Sequence, residues 1–176
     1  MSSSAIGDEE THHLRNLVGL RKLDLGQTRI TSQGLSSISR LEGLRRLSLG
    51  DTNVDDEGLN HLTRLKQLEE LFVDCTLLSG EGLKRIGKFE CLRTLAISGL
   101  PISDDGVEHL AGLTQLECLF LNETRITDRS LTALLEFPNL KTLWLYGTAV
   151  TGEGVREFLR QCRSCEVIVE EEKEKR

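Results

Sequence analysis

No run of apolar residues in this 176-residue sequence approaches the roughly 20 that a membrane-spanning helix needs. The start, MSSSAIGDEE, lacks a basic segment followed by an apolar one, so no secretory signal is expected. Positive charge is in deficit: 22 Lys and Arg stand against 28 Asp and Glu, a formal net charge of −6. That argues against a nucleic-acid partner, which needs a basic face, although a local basic patch remains compatible with it. The five cysteines are an odd count with no pairing pattern, which reads as reduced thiols and an intracellular, cytoplasmic setting. Proline occurs only at 101 and 138, both in predicted turns, where a missing N–H does no harm.

Recognisable chemistry is also scarce. The glycines do not form a strand–loop–helix phosphate cradle. Cys162-Arg-Ser-Cys165 supplies two ligands where a structural zinc needs four, and the setting is not thioredoxin-like. His13, His61 and His109 lie at multiples of 48 residues and are expected on outward helices, too far apart to share a metal. No Ser, Cys or Asp stands beside a base in a catalytic motif. The expectation is a non-enzyme with no cofactor, no metal site and no small-molecule substrate.

What the chain does have is a repeat. Leu20, Leu44, Leu68, Leu92, Leu116 and Leu140 are 24 residues apart, and so are Leu23, Leu47, Leu71, Leu95, Leu119 and Leu143. Leu25, Leu49, Val73, Ile97, Leu121 and Leu145 continue the pattern, as do Ile30, Val54, Leu78, Ile102, Ile126 and Val150. A further column runs Leu17, Leu41, Leu65, Phe89, Leu113 and Phe137. Self-similarity at one period, without a slip, marks a repeat architecture.

Each unit reads LxxLxxLxLxxTxIxxxGLxxLxx. The LxL piece has a period of two and predicts a short strand; GLxxLxx suits about two turns of helix. Thr31, Asp55, Ser79, Ser103, Thr127 and Thr151 precede those helices as N-caps, with acidic residues following in most copies. Gly34, Gly58, Gly82, Gly106 and Gly154 share a column, with Ser130 as the small exception. Glycine costs about 1 kcal/mol in a helix, so its recurrence predicts coils stacked too closely for a side chain. Thr28, Thr52, Thr76, Thr124 and Thr148 are expected to bond the backbone in the turn after each strand, which Leu100 in the fourth turn cannot do.

The repeat resembles that of leucine-rich repeat proteins over residues 5–170. Thr before the isoleucine, and the segment ITDRSL at 126–131, resemble the ribonuclease-inhibitor-like and F-box-associated repeats. Stacking such units buries leucines that one unit cannot bury alone. The expected fold is an α/β solenoid with a curved parallel sheet on the concave face and short helices on the convex face. The expected organisation is a half-repeat or cap at 1–16, six repeats over 17–160, a C-terminal half-repeat at 161–170 and a charged tail at 171–176. Ile6 and Leu14 occupy core slots in the first half-unit, and Val167 and Val169 mark a seventh strand.

If the leucines face the core, the residues between them face out. The central outward column is Asp24, Ser48, Phe72, Ala96, Phe120, Trp144 and Ile168; the next is Gly26, Gly50, Asp74, Ser98, Asn122, Tyr146 and Glu170. Phe72, Phe120, the only Trp and the only Tyr thus share one face, with Ala96 leaving a notch between the two phenylalanines. Exposed apolar patches mark interaction sites, and Trp and Tyr dominate interface energies. The bland alternatives are strand propensity and a terminal segment folded over the rings. The candidate partner-binding residues are Phe72, Asp74, Ala96, Phe120, Asn122, Trp144 and Tyr146. Acidic neighbours (Glu70, Asp74, Glu166, Glu170) point to a protein or peptide with apolar anchors and some Lys or Arg. The resemblance implies the same protein-binding role. A substrate adaptor of a ubiquitin-ligase-type assembly and a permanent subunit of a larger complex are the rival expectations.

Overall fold

The computed structural model describes residues 6–169. Glu170 and the expected charged tail at 171–176 lie outside the described residues.

The LxL pieces form seven strands: β1 (Lys22–Asp24), β2 (Arg46–Ser48), β3 (Glu70–Phe72), β4 (Thr94–Ala96), β5 (Cys118–Phe120), β6 (Thr142–Trp144) and β7 (Glu166–Ile168). They make one parallel sheet in chain order. Pairing follows the repeat, with Leu23 opposite Leu47, Leu47 opposite Leu71, and so on to Leu143 opposite Val167. A parallel ladder needs a crossover between strands, and here each crossover is one helical segment on the opposite wall. After α1 (Asp8–Thr11), which precedes β1, the crossovers are α2 (Leu35–Ile38), a 3-10 turn at Gly58–Leu62, α3 (Gly80–Ile86), α4 (Asp104–Glu108), α5 (Asp128–Leu134) and α6 (Gly152–Gln161). A further 3-10 turn, His12–Asn16, follows α1 directly.

One leucine-dominated core runs between the two walls, and the strand leucines Leu47, Leu71, Leu95, Leu119 and Leu143 have no solvent exposure. The ends differ. Leu17 is 48% exposed although its equivalents Leu41 and Leu65 are fully buried. Val169, expected in a core column, is 46% exposed.

After each strand the ladder continues through a left-handed residue. Gln27, Asp51, Cys75 and Glu123 have φ between 52° and 57°, and Gly99 and Gly147 sit at 70° and 67°. This conformation costs a non-glycine residue roughly 1–2 kcal/mol. It lets the N–H of Gln27, Asp51, Cys75, Gly99 and Glu123 donate to a carbonyl of the next coil at 2.7–3.0 Å. The threonine hydroxyls then close the turn: Thr28, Thr52, Thr76, Thr124 and Thr148 donate to the carbonyl three residues back at 2.6–2.8 Å. In the fourth turn Leu100 is buried instead, and the Ile102 N–H donates to the Leu100 carbonyl at 2.7 Å.

The helix starts are joined across coils by carboxylates. Asp8 accepts from the Thr31 N–H at 2.8 Å and from its hydroxyl at 2.7 Å. Asp56 holds Ser79 in the same way, Asp104 holds Thr127, and Asp128 holds Thr151. At one joint the roles reverse, and Ser32 donates to Asp55 at 2.6 Å while accepting the Asp55 N–H. The fourth joint has Gly80 where the acid belongs, and Ser103 is the one expected cap that makes no side-chain capping bond.

These clamps account for the glycine column at every joint but the fourth, where a Cβ on Gly106 would meet the Ile102 side chain at 3.1 Å. A Cβ on Gly34, Gly82 or Gly154 would lie 2.6, 2.3 or 2.2 Å from Oδ1 of Asp8, Asp56 or Asp128. What occupies the space is therefore a carboxylate of the preceding coil, held in place by the next cap. At Ser130 the small side chain joins the clamp, its hydroxyl donating to Asp104.

Two outcomes follow for stability. Asp56→Ala and Gly82→Ala should each lower the unfolding free energy by about 1–3 kcal/mol in urea titrations. The double variant should fall at least about 0.5 kcal/mol short of their sum; strict additivity would separate the glycine from the carboxylate. The second outcome concerns acid. The Ser32 hydroxyl holds the Asp55 carboxyl below its ordinary range. Burial pushes Asp104 up, but bonds from Ser130 and Thr127 outweigh it and leave it lowered as well. Both groups bind protons less readily folded than unfolded, so their stabilisation is present above the usual aspartate range and lost as pH falls through it. The melting temperature should hold from neutrality to about pH 5 and fall below about pH 4, and Asp104→Asn should flatten that fall.

Candidate partner-binding surface

Because side chains alternate along a strand, the residue on each side of the core leucine faces out of the sheet. Phe72, Phe120 and Trp144 end their strands on this outer face, and each is half-buried while the neighbouring leucine is fully enclosed. Tyr146, two residues beyond β6, is half-buried too.

Phe120 and Trp144 are directly opposite on adjacent strands. Their rings stack with centroids 5.5 Å apart and an interplanar angle of 17°. Cross-strand aromatic pairs of this kind add about 0.5–1.5 kcal/mol beyond their buried area. The pair is thus pre-formed before anything covers it.

Phe72 is already engaged. The Arg46 guanidinium carbon lies 4.5 Å from the centre of its ring, and the same guanidinium is ion-paired with Glu70. A cation over an aromatic face is attracted by the ring quadrupole. The contact spans one strand and two positions, a diagonal that a column-by-column reading of the sequence passes over. It separates Phe72 from the Phe120–Trp144 pair in character: one ring is capped by the chain itself, the other two by each other.

The notch expected at Ala96 is not open. Ala96 is only 3% exposed, so the space between Phe72 and Phe120 is too narrow for solvent to reach its methyl group. A partner placed here meets the flanking rings and not Ala96 itself.

Asp74 and Asn122 have structural work on this face. Asp74 Oδ1 accepts the Ser98 N–H at 2.8 Å, and Asn122 Oδ1 accepts the Tyr146 N–H at 2.9 Å, each reaching one coil ahead. They are the same bond at two joints, once with a charged acceptor and once with a neutral one. Burial raises the Asp74 carboxyl above its ordinary range, against the Ser98 N–H that lowers it.

Below the strands runs a second outward row of charge. Arg45 pairs with Glu69 at 2.6 Å, and Glu117 lies between Arg93 and Lys141 at 2.5 Å from each. Exposed pairs of this type contribute about 0–1 kcal/mol each. Among the described residues no group of three or more His, Cys, Asp or Glu is arranged to hold a metal ion. No described helix is long and apolar enough to cross a membrane.

A family model described as Leucine Rich repeat matches residues 20–39, about one repeat. No curated protein matches the chain by sequence. Among solved structures, a leucine-rich repeat protein of Leptospira interrogans is similar at 19% identity and a TM-score of 0.66, over 88% of this chain and 38% of that one. An internalin (inlF) of Listeria monocytogenes is similar at 19% identity and 0.66, over 92% of this chain and 51% of that one. Internalin C2 of the same organism is similar at 20% identity and 0.71, over 96% and 78%. The chain therefore spans well under two thirds of the first two. These likenesses establish the fold: an α/β leucine-rich repeat solenoid.

The paired joints at Asp74 and Asn122 define an experiment. Asp74→Asn keeps the acceptor for Ser98 and removes a charge that burial disfavours. A raised folded-state affinity for protons stabilises below the unfolded range and is lost as pH rises through the folded range. Asp74→Asn should accordingly raise the melting temperature at pH 7, with the gain shrinking below about pH 4. A lowered melting temperature at pH 7 would mean that the charge itself holds the joint.

Proposed function

We propose that the chain is a non-enzymatic binding module that holds a protein or peptide on the outer face of its sheet. The observation that carries this reading is the stacked Phe120–Trp144 pair, half-buried on the outer face of the sheet. Two rings locked against each other present apolar area with little conformational entropy left to lose on binding. Tyr146 lies on the strand side of the same coil as Trp144 and adds a hydroxyl to the patch. Repeat solenoids in general offer such a face as an extended binding surface.

The partner we infer has an apolar or aromatic anchor seated on Phe120 and Trp144, flanked by Lys or Arg. The basic flank is argued from charge: Glu166 and Glu123 are exposed to either side, and the chain carries an excess of acid. The subtype resemblance rests on the Thr before the isoleucine and on ITDRSL, and does not alter the reading.

The test uses the full chain against an array of short peptides, read out by fluorescence of Trp144, the only tryptophan. Trp144→Phe controls the optical signal, and calorimetry gives the affinity. Phe120→Ala and Trp144→Ala should keep the circular dichroism of the parent. They should also weaken the selected peptide by about 2 kcal/mol, roughly 30-fold. Binding should weaken further with added salt if the flank is basic. Variants that fold and bind like the parent would remove this face as the site.

A further inference from the structure

Two cysteines lie at the C-terminal joint, away from the aromatic face. Cys162 caps α6, and Cys165 immediately precedes β7. Arg163 and Ser164 turn between them, and the Cys165 N–H donates to the Cys162 carbonyl at 3.4 Å. The ends of such a four-residue turn have Cα atoms within about 7 Å, and a disulfide takes roughly 4.4–6.8 Å. Both side chains pack on the same core cluster. Cys162 is partly exposed and Cys165 is buried, whereas Cys75 and Cys91 are exposed in other coils.

We propose that Cys162 and Cys165 form a reversible intrachain disulfide that fastens β7 to the end of α6, with a small disulfide such as oxidised glutathione as the oxidant. The Cys162 thiolate attacks one sulfur of oxidised glutathione, forming a mixed disulfide and releasing one glutathione thiolate. Cys165 then gives up its proton and attacks Cys162 Sγ, expelling the second glutathione thiolate. Two protein thiols are oxidised to one disulfide, one glutathione disulfide is reduced to two thiols, and the two protons end on glutathione.

The order of attack follows from access, since only Cys162 reaches solvent to meet the oxidant. What favours the bonded form is the turn, which holds the two thiols together in the folded chain and not in the unfolded one. Burial pushes the Cys165 thiol up to about 12, with the adjacent Cys162 adding to the shift, so Cys165 stays protonated until it resolves the mixed disulfide. The joint is a useful place for such a bond. Ile168 of β7 accepts the Leu145 N–H at 2.8 Å and lies opposite Trp144, so fixing β7 steadies the open edge next to the aromatic pair.

The experiment equilibrates the native chain in mixtures of reduced and oxidised glutathione, traps thiols by alkylation and maps tryptic peptides without reduction. Trypsin cuts after Arg163, inside the turn, so the disulfide joins Gln161–Arg163 to Ser164–Lys173 and reduction separates them. The expected result is that linked peptide, with an equilibrium constant about tenfold or more above that of the chain in urea. An equal or smaller constant in the folded chain, or glutathione retained on Cys162 with Cys165 alkylated, overturns the proposal. A Cys75→Ser/Cys91→Ser/Cys118→Ser variant isolates the pair. Should that variant fail to fold, the wild-type map still decides, because the linked peptide identifies both partners.

Discussion

The structure depends on stacking at a constant interval. Each coil buries its leucines only against the coils on either side, so every backbone and side-chain link that fixes the interval supports the whole array. The strictest of these links is the carboxylate that reaches from one helix start to the next. It satisfies the N–H and hydroxyl of the following cap and fills the space above the following glycine. Acid, cap and glycine are three columns of the sequence that describe one contact. Together with the left-handed residue after each strand, this contact brings successive coils into the same register without a slip.

That regularity is what leaves the sheet face free to vary. With the leucines committed inward, the outward columns are free to differ from coil to coil, and they do. The early coils carry Asp24 and Ser48, the middle one carries a phenylalanine capped by Arg46, and the later ones carry the stacked ring pair. Some of this face still serves the stack, as Asp74 and Asn122 do when they hold the next coil's N–H groups. A polar residue on such a face therefore cannot be assigned to binding from its position alone.

The period and the strand pairing were legible in the sequence because both depend only on spacing. The inward leucines were legible too, and with them the outward placement of Trp144 and Phe120. The glycine column announced close stacking, but it did not show that the neighbour was Asp8, Asp56 or Asp128, because the contact joins residues 26 apart in different columns. The Arg46–Phe72 contact escaped for the same reason. The left-handed positions escaped because four of the six are Gln, Asp, Cys and Glu, whose identity does not signal such a turn. Ala96 was read from its small volume as a gap, whereas the flanking rings close over it.

The links between coils are not all alike. Where Gly80 replaces the acid, the clamp is missing. The next coil has lost its turn threonine to Leu100. One joint in the middle of the array thus lacks the tie at its helix starts and keeps the one on its sheet side, where Asp74 holds the Ser98 N–H. That joint lies between Phe72 on one side and Phe120 with Trp144 on the other, so the aromatic groups are spaced across the one place where helix and sheet walls are fastened unequally.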